Sequence, residues 1–305
     1  MLLILFMFKI LLFFLIITCF GLAIADFTII NNLDFLSKTK ASSVIVDENS
    51  NFVDSLRLYR LIPLVLIFVI SSIYVAGKEG LRSLLALVFS LIYGFFVLIP
   101  ALASSGNLFF ISLLVFLLML INLLITHGVK SSTFRAFIIM FVLSVVFLLI
   151  STFFTDFLFL TGVGNDESFF LAMSENVQFD MRILFNIGVI LGTFGVLDDV
   201  VISQMSIVNR LYEANPKYTF AKLYNQAMVV GRHHIASLIN TLFFAYMAAF
   251  LPWLLVLHVD VSMPVWFRLN TEMFIEEFIR IILGSTALIL AVPLTTFIQC
   301  FKKTK

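Results

Sequence analysis

Apolar stretches long enough to cross a lipid bilayer recur along the whole chain, and they constrain the fold more than any other feature. Eight are read from the sequence, at roughly 2–25, 61–77, 83–103, 108–127, 136–160, 183–208, 234–257 and 276–300. A helix rises about 1.5 Å per residue, so about 20 apolar residues span a core of ~30 Å. The expected fold class is therefore all-α: a polytopic transmembrane helix bundle of about eight spans with short loops. Composition agrees. Of 305 residues, 62% are hydrophobic and 12% charged, with a mean hydropathy of +1.13, which no soluble domain of this length shows.

The first segment has two readings. Ala23-Ile24-Ala25 before Asp26 fits a cleavage pattern, with residues 10–22 as its apolar region. Apolar residues 2–8 and Lys9 favour retention as an anchor; cleavage would leave seven spans. Residues 26–60 then form a short extracytoplasmic segment, too small for a stable domain of its own, and residues 61–305 form the transmembrane domain.

With the N-terminus cytoplasmic, eleven basic residues fall in inner loops: Lys78, Arg82, Lys130, Arg135, Arg210, Lys217, Lys222, Arg232, Lys302, Lys303 and Lys305. Six fall in outer loops: Lys38, Lys40, Arg57, Arg60, Arg182 and Arg268. This bias places the C-terminus in the cytoplasm. Cys19 and Cys300 then lie on opposite faces, so neither a disulfide nor a thiolate metal site is expected. A formal net charge of +1 implies no nucleic-acid partner. The largest inner segment is 209–233. Asn215-Pro216 breaks it, and Thr219 can cap a helix through FAKLYNQAMVV. Phe220, Leu223, Ala227 and Val230 give that helix one apolar face, which suits an interfacial cytoplasmic helix.

Within the sixth segment lie two adjacent acids, Asp198 and Asp199, with the nearest flanking charges at Arg182 and Arg210. An ionised carboxylate there costs about 2.5–3.5 kcal/mol even on insertion scales, so such residues line cavities, carry protons, bind ions or pair. Gly188, Gly192, Gly195, Asp199 and Ser203 share one helical face, and Asp198 is turned about 100° from it. Small residues let helices approach closely, so Asp199 is expected to point at a neighbouring helix. Counting from the basic anchors, Asn240 and Thr241 of the seventh segment and Pro293, Thr295 and Thr296 of the eighth lie at a similar depth. Small stripes at Ser237, Thr241, Ala245 and Ala249, and at Gly284, Ala287, Ala291 and Thr295, predict that the last three spans pack together around a polar centre. The proton or ion site expected is Asp199 and Asp198 with Ser203, Asn240 and Thr241. Gly188, Gly192, Gly195, Gly284 and Pro293 are the packing positions. His127, Arg232 and His234 are candidates at the cytoplasmic side.

Most of these residues also have a plainer reading as packing or interhelical hydrogen bonding. No Walker A loop, H-E-x-x-H, G-x-S-x-G or C-x-x-C occurs. An intramembrane aspartyl protease needs acids on facing helices, whereas these are neighbours on one. His127, His234 and Asp199 have no spacing that demands a metal. No enzyme activity, cofactor or metal is expected.

With these residues in view, the chain resembles the YibE/F family of bacterial multi-pass membrane proteins from about residue 80 to 302. The likeness is carried by GLRSLLAL (80–87), Ile99-Pro100, THG (126–128), GTFGVLDDVVISQ (192–204), Asn215-Pro216, GRHHIASLINTLFFAY (231–246) and AVPLTT (291–296). The family usually shows G-R-D where this chain has Gly231-Arg232-His233. A weaker pattern likeness is to the closing helices of SecF-type proton-driven permeases. The resemblance implies a multi-pass protein of the bacterial plasma membrane, often found with a sister protein, with no established activity. Two functions fit: a proton- or ion-coupled permease or export component carrying protons or a small cation on the aspartate pair, or a non-catalytic subunit packing with a sister protein or a second copy. Reporter fusions after Lys130 and after Arg268 are expected to report cytoplasm and exterior respectively; both on one side would overturn the topology.

Overall fold

The computed structural model describes residues 44–46, 52–55, 61–174, 180–259 and 264–304. The predicted first segment, 2–25, lies outside the described residues. The chain divides into two compact units, residues 1–84 and 85–305.

In the first unit, β1 (Val44–Val46) pairs antiparallel with β2 (Phe52–Ser55). These short strands are an addition to the all-helical expectation. Helix α1 (Ile62–Tyr93) begins in the same unit and is broken at Gly77, where φ is +60°. That left-handed value suits only glycine at low cost. Gly80 comes against the Ser72 carbonyl more closely than a Cβ would permit, and Ser72 Oγ lies 3.5 Å from Gly80 O. Residues eight apart in a continuous helix would be about 12 Å apart. The chain therefore turns back sharply at Gly77, between the predicted segments 61–77 and 83–103.

The second unit is a helical bundle. After a π-helical stretch (Gly94–Leu98) come α2 (Ile99–Ser104), α3 (Leu108–His127), α4 (Ser131–Phe157), short α5 (Asp166–Met173), α6 (Met181–Ala214), α7 (Phe220–Val259), short α8 (Val265–Leu269) and α9 (Glu272–Thr304). Asn107 caps α3 by accepting from the amides of Phe109 and Phe110, and Gly128 at φ +77° ends it. Among the described residues, six helical stretches are long and apolar enough to cross a membrane, with α1 through α2 counted as one.

Helices α6, α7 and α9 pack together, and α6 also packs on α4 and α3. The small stripe of α9 makes the closest approach. Ala287, Ala291 and Thr295 are fully buried, and the open side of Gly284 faces Leu242 of α7. The corresponding stripe of α7 is turned the other way: Ser237, Thr241, Ala245 and Ala249 are exposed, while Ile235, Leu238 and Ile239 meet the core. One small face per contact suffices, and α9 supplies it.

The expected separate interfacial helix is instead the start of α7, 40 residues without a break. Its apolar face is covered by protein. Leu223 and Ala227 are fully buried in a cluster with Val208 and Cys300, flanked by Ile207, Leu211, Tyr212 and Phe220. Only Val230 of the predicted face remains exposed. The physical reason is length. At about 50 Å or more, α6, α7 and α9 each outrun a bilayer core, and their ends bury one another. Gly231 marks a tight contact of α7 with α9 and α6: a Cβ there would sit 2.6 Å from Val292 Cγ1 and 3.1 Å from the Gln204 amide. Gly231→Val is expected to separate α7 from α6 and α9 and lower stability by about 1–3 kcal/mol, read as a lower melting temperature in detergent.

Candidate functional site

The two aspartates leave α6 in different directions. Asp198 turns towards the end of α3, where His127 Nε2 lies 3.7 Å from its Oδ1. That separation is an ion pair when the imidazole is protonated and too long for a hydrogen bond. Asp198 Oδ1 is accordingly buried without a hydrogen-bond partner. Asp199 is exposed, against the expectation that it would point into a helix contact. Its ionisable neighbours are Asp198, His234 of α7 and His127. Imidazoles of α3 and α7 thus act electrostatically on the acid pair of α6, and His127 is the one in ion-pair range. They do not form a metal-binding group; among the described residues none is found.

The glycine face of α6 leads up to Asp199 as an open side. Gly195 has nothing within 4 Å of its missing side chain. Gly192 is approached by the Tyr246 hydroxyl, 3.4 Å from where a Cβ would be, and Gly188 by Arg280 Nη2 at 3.8 Å. Long polar side chains from α7 and α9 therefore overlie the outer glycines, and the face is uncovered nearer the acids. Ser203, one turn beyond Asp199, donates its hydroxyl to the Asp199 carbonyl. Asn240 and Thr241 are exposed on α7, and the Thr241 hydroxyl bonds its own helix at Ser237 O, 3.0 Å away. Arg232 is exposed. Pro293 lies inside α9, which continues through it.

The expected polar centre of the last three helices is built mainly by a residue that the sequence reading did not single out. Gln204 is 2% exposed, and its Nε2 donates to Thr296 Oγ1 at 2.7 Å and to the Ala227 carbonyl at 3.2 Å. Gln204 thereby ties α6 to both α9 and α7. Beyond it, Gln299 Nε2 donates to Asn209 Oδ1 at 2.7 Å. A second cluster joins α4 to α6, where Asn186 Oδ1 accepts from Ser151 at 2.5 Å and Thr155 at 3.4 Å. Arg280, paired with Glu277 and lying over the Phe185 ring, also escaped the sequence reading. Its signal was a basic residue inside an apolar segment, where a charge needs a reason.

At the other end of the bundle Asp180 caps α6, accepting from the Arg182 amide at 2.9 Å and pairing with its guanidinium at 2.7 Å. Partial burial works to raise the Asp180 carboxyl, but the hydrogen bonds and charge of Arg182 outweigh it and hold the group below the usual carboxylate range. Asp180, Arg182, Thr155, Asp156 and Thr161 line a cavity of about 380 Å³.

Gln204→Leu keeps the volume and removes both interhelical bonds. The expected loss of stability is about 0.5–2 kcal/mol, the range of hydrogen bonds between membrane helices, with no change in helix content by circular dichroism.

A search of curated proteins and a search of solved structures find no match. A family described as YibE/F-like protein matches residues 64–305, which covers all of the helices around the aspartates. The chain therefore belongs to the YibE/F-like family.

Proposed function

We propose that the chain is a transport-related membrane protein without enzymatic chemistry: a proton- or ion-coupled permease or export component that uses Asp199, with Asp198 beside it, as a reversible carrier. The observation that carries this reading is the exposure of Asp199 on the open glycine face, with His127 and His234 beside the acid pair. A carboxylate turned to hydrocarbon is costly, so an open acid there calls for water or a transported cation. Imidazoles change charge near neutral pH and can pass a proton to or from such an acid. Ser203, Asn240 and Thr241 complete the proposed site as neutral polar groups on the neighbouring surfaces. The topology that goes with this reading has eight spans, the turn at Gly77 separating the second from the third. It sets Asp199 in the cytoplasmic half of a bacterial plasma membrane, with the C-terminus cytoplasmic.

A second reading is favoured by α7. The most apolar stretch of that helix has no buried residue, and its small stripe faces outward. A sister YibE/F subunit or a second copy laid on this stripe would make the chain a structural subunit and cover Asp199.

One variant separates the two. Asp199→Asn in proteoliposomes is expected to lower pH-driven flux or membrane-potential response by at least about tenfold. Thermal stability should be unchanged or raised, because functional charges are commonly kept against stability. A variant that is destabilised, fails to assemble with its sister and keeps full flux would establish the structural role instead.

A further inference from the structure

Contacts between helices fix two polar levels in the bundle. At one, Arg182 of α6 pairs with Asp156 of α4 at 3.3 Å. There Glu272 of α9 also accepts from the loop after α4, from the Thr161 hydroxyl at 2.9 Å and the Gly162 amide at 2.8 Å. At the other, His127 of α3 lies 3.7 Å from Asp198 of α6, and Thr133 donates to the Gly128 carbonyl at 2.8 Å, holding the start of α4 to the end of α3. Between these levels, residues 109–126 of α3, 136–155 of α4 and 183–197 of α6 hold no acid, base or histidine. The rise from Arg182 to Asp198 is about 24 Å and from Arg135 to Asp156 about 32 Å, which brackets a hydrocarbon core of ~30 Å. The acid pair therefore lies at an edge of the apolar slab, the edge that also carries Lys130 and Arg135.

Beyond that edge α6 runs on to Ala214 and α9 to Thr304, and α7 begins at Phe220. These ends reach about 20 Å further. Gln204 sets their register, because its amide bonds Thr296 and the Ala227 carbonyl and Gly231 lies against it. Arg232 and His233, which follow Gly231, are exposed near the edge as well. Further out, the three ends are apolar inside and polar outside, as helices packed together in water are. Val208, Leu223, Ala227 and Cys300 are fully buried between them. Ser206, Arg210, Lys222, Asn225, Gln226 and Lys302 are exposed, and in hydrocarbon their charges would be costly. The exposed apolar residues Val229, Val230 and Phe297 adjoin Gly231 and Thr296, close to the edge where headgroups begin.

We propose that these ends of α6, α7 and α9 stand in water as a three-helix stem, and that Asp199 lies at its foot, at headgroup depth, loaded from the aqueous phase in which the stem stands. The stem follows from the two levels alone; the loading of Asp199 rests on the transport reading above. Exposed at this depth, Asp199 meets water without a channel through the bundle. The glycine face that rises from it into the slab, through Gly195 and Gly192, is then the part of the helix that a proton or cation has still to pass.

Spin labels on single cysteines, in the full chain with Cys19 and Cys300 replaced and held in nanodiscs, test the stem by collision with a water-soluble nickel chelate and with oxygen. Labels at Ser206 on α6 and Asn225 on α7 are expected to show a nickel-to-oxygen ratio at least about tenfold above labels at Phe243 and Phe153, because the hydrocarbon core holds no water. Lipid-like ratios at Ser206 and Asn225 would overturn the stem. In sealed vesicles, Asp199→Cys should react with a membrane-impermeant thiol reagent from the same side as Asn225→Cys; Ser203→Cys, one turn on, gives the same reading if the first variant does not fold. Reaction from the opposite side only, or none from either, would overturn the loading side. Both readouts are independent of flux, so an Asp199→Asn variant with unchanged flux would remove the carrier role and leave the stem standing.

Discussion

How closely α9 can approach α6 decides the rest of the bundle. Between helices in lipid there is little hydrophobic drive, because the chains that would surround a separated helix are as apolar as its neighbour. What remains is packing and interhelical hydrogen bonds. Where α9 packs on α6, Ala287, Ala291 and Thr295 of α9 are fully buried, as are the larger Leu197, Val200 and Val201 of α6. Only with these backbones close can Gln204 reach Thr296, and only with α7 seated by Gly231 can the same amide reach the Ala227 carbonyl. Once α9 occupies the bulky side of α6, its glycine side is left over. The open face beneath Asp199 is thus a consequence of where the tight contact formed.

Much of this was legible in the sequence, and what was not has definite causes. Apolar runs of bilayer length locate α3, α4, α6 and α9 closely, because nothing else in the chain competes with that signal. Pro216 marks a break for a backbone reason that holds in any environment; the turn at Gly77 was not read from the sequence. Helical periodicity also grouped Gly188, Gly192, Gly195, Asp199 and Ser203 correctly. It could not say which way that face turns, since a row of small residues serves equally for close contact and for clearance. The stripes of α9 and α7 read alike, yet one is buried and the other exposed. The start of α7 failed for a related reason. An amphipathic pattern shows that a face must be covered but not whether lipid or protein covers it. Val208, Leu223 and Cys300 answer that question from three separate helices.

Two of the residues missed in the sequence, Gln204 and Glu272, share another property: the partner of each lies far away in sequence. Gln204 is 92 residues from Thr296, and Glu272 is 111 residues from Thr161. Glu272 in the first turn of a helix, with Glu276 four residues on, also has an ordinary local explanation, since acids suit the positive end of the helix dipole. That explanation hides the pair until the loop from α4 is seen to lie on it.

The two acid pairs are built on opposite principles. Glu272 and Glu276 face backbone amides, which neither gain nor lose protons and which hold a carboxyl in one place. Asp198 instead has the His127 imidazole beside it at 3.7 Å and no hydrogen-bond donor on its Oδ1. Exposure follows the same division, with Glu276 sealed and Asp199 open. Titratable neighbours and an open side favour a proton that is exchanged. In the proposed reading an open side is the property of a carrier. Between them, Arg280 and Tyr246 lean over the outer glycines of α6. They place polar groups along the stretch of helix that any traffic reaching Asp199 along that glycine face would pass.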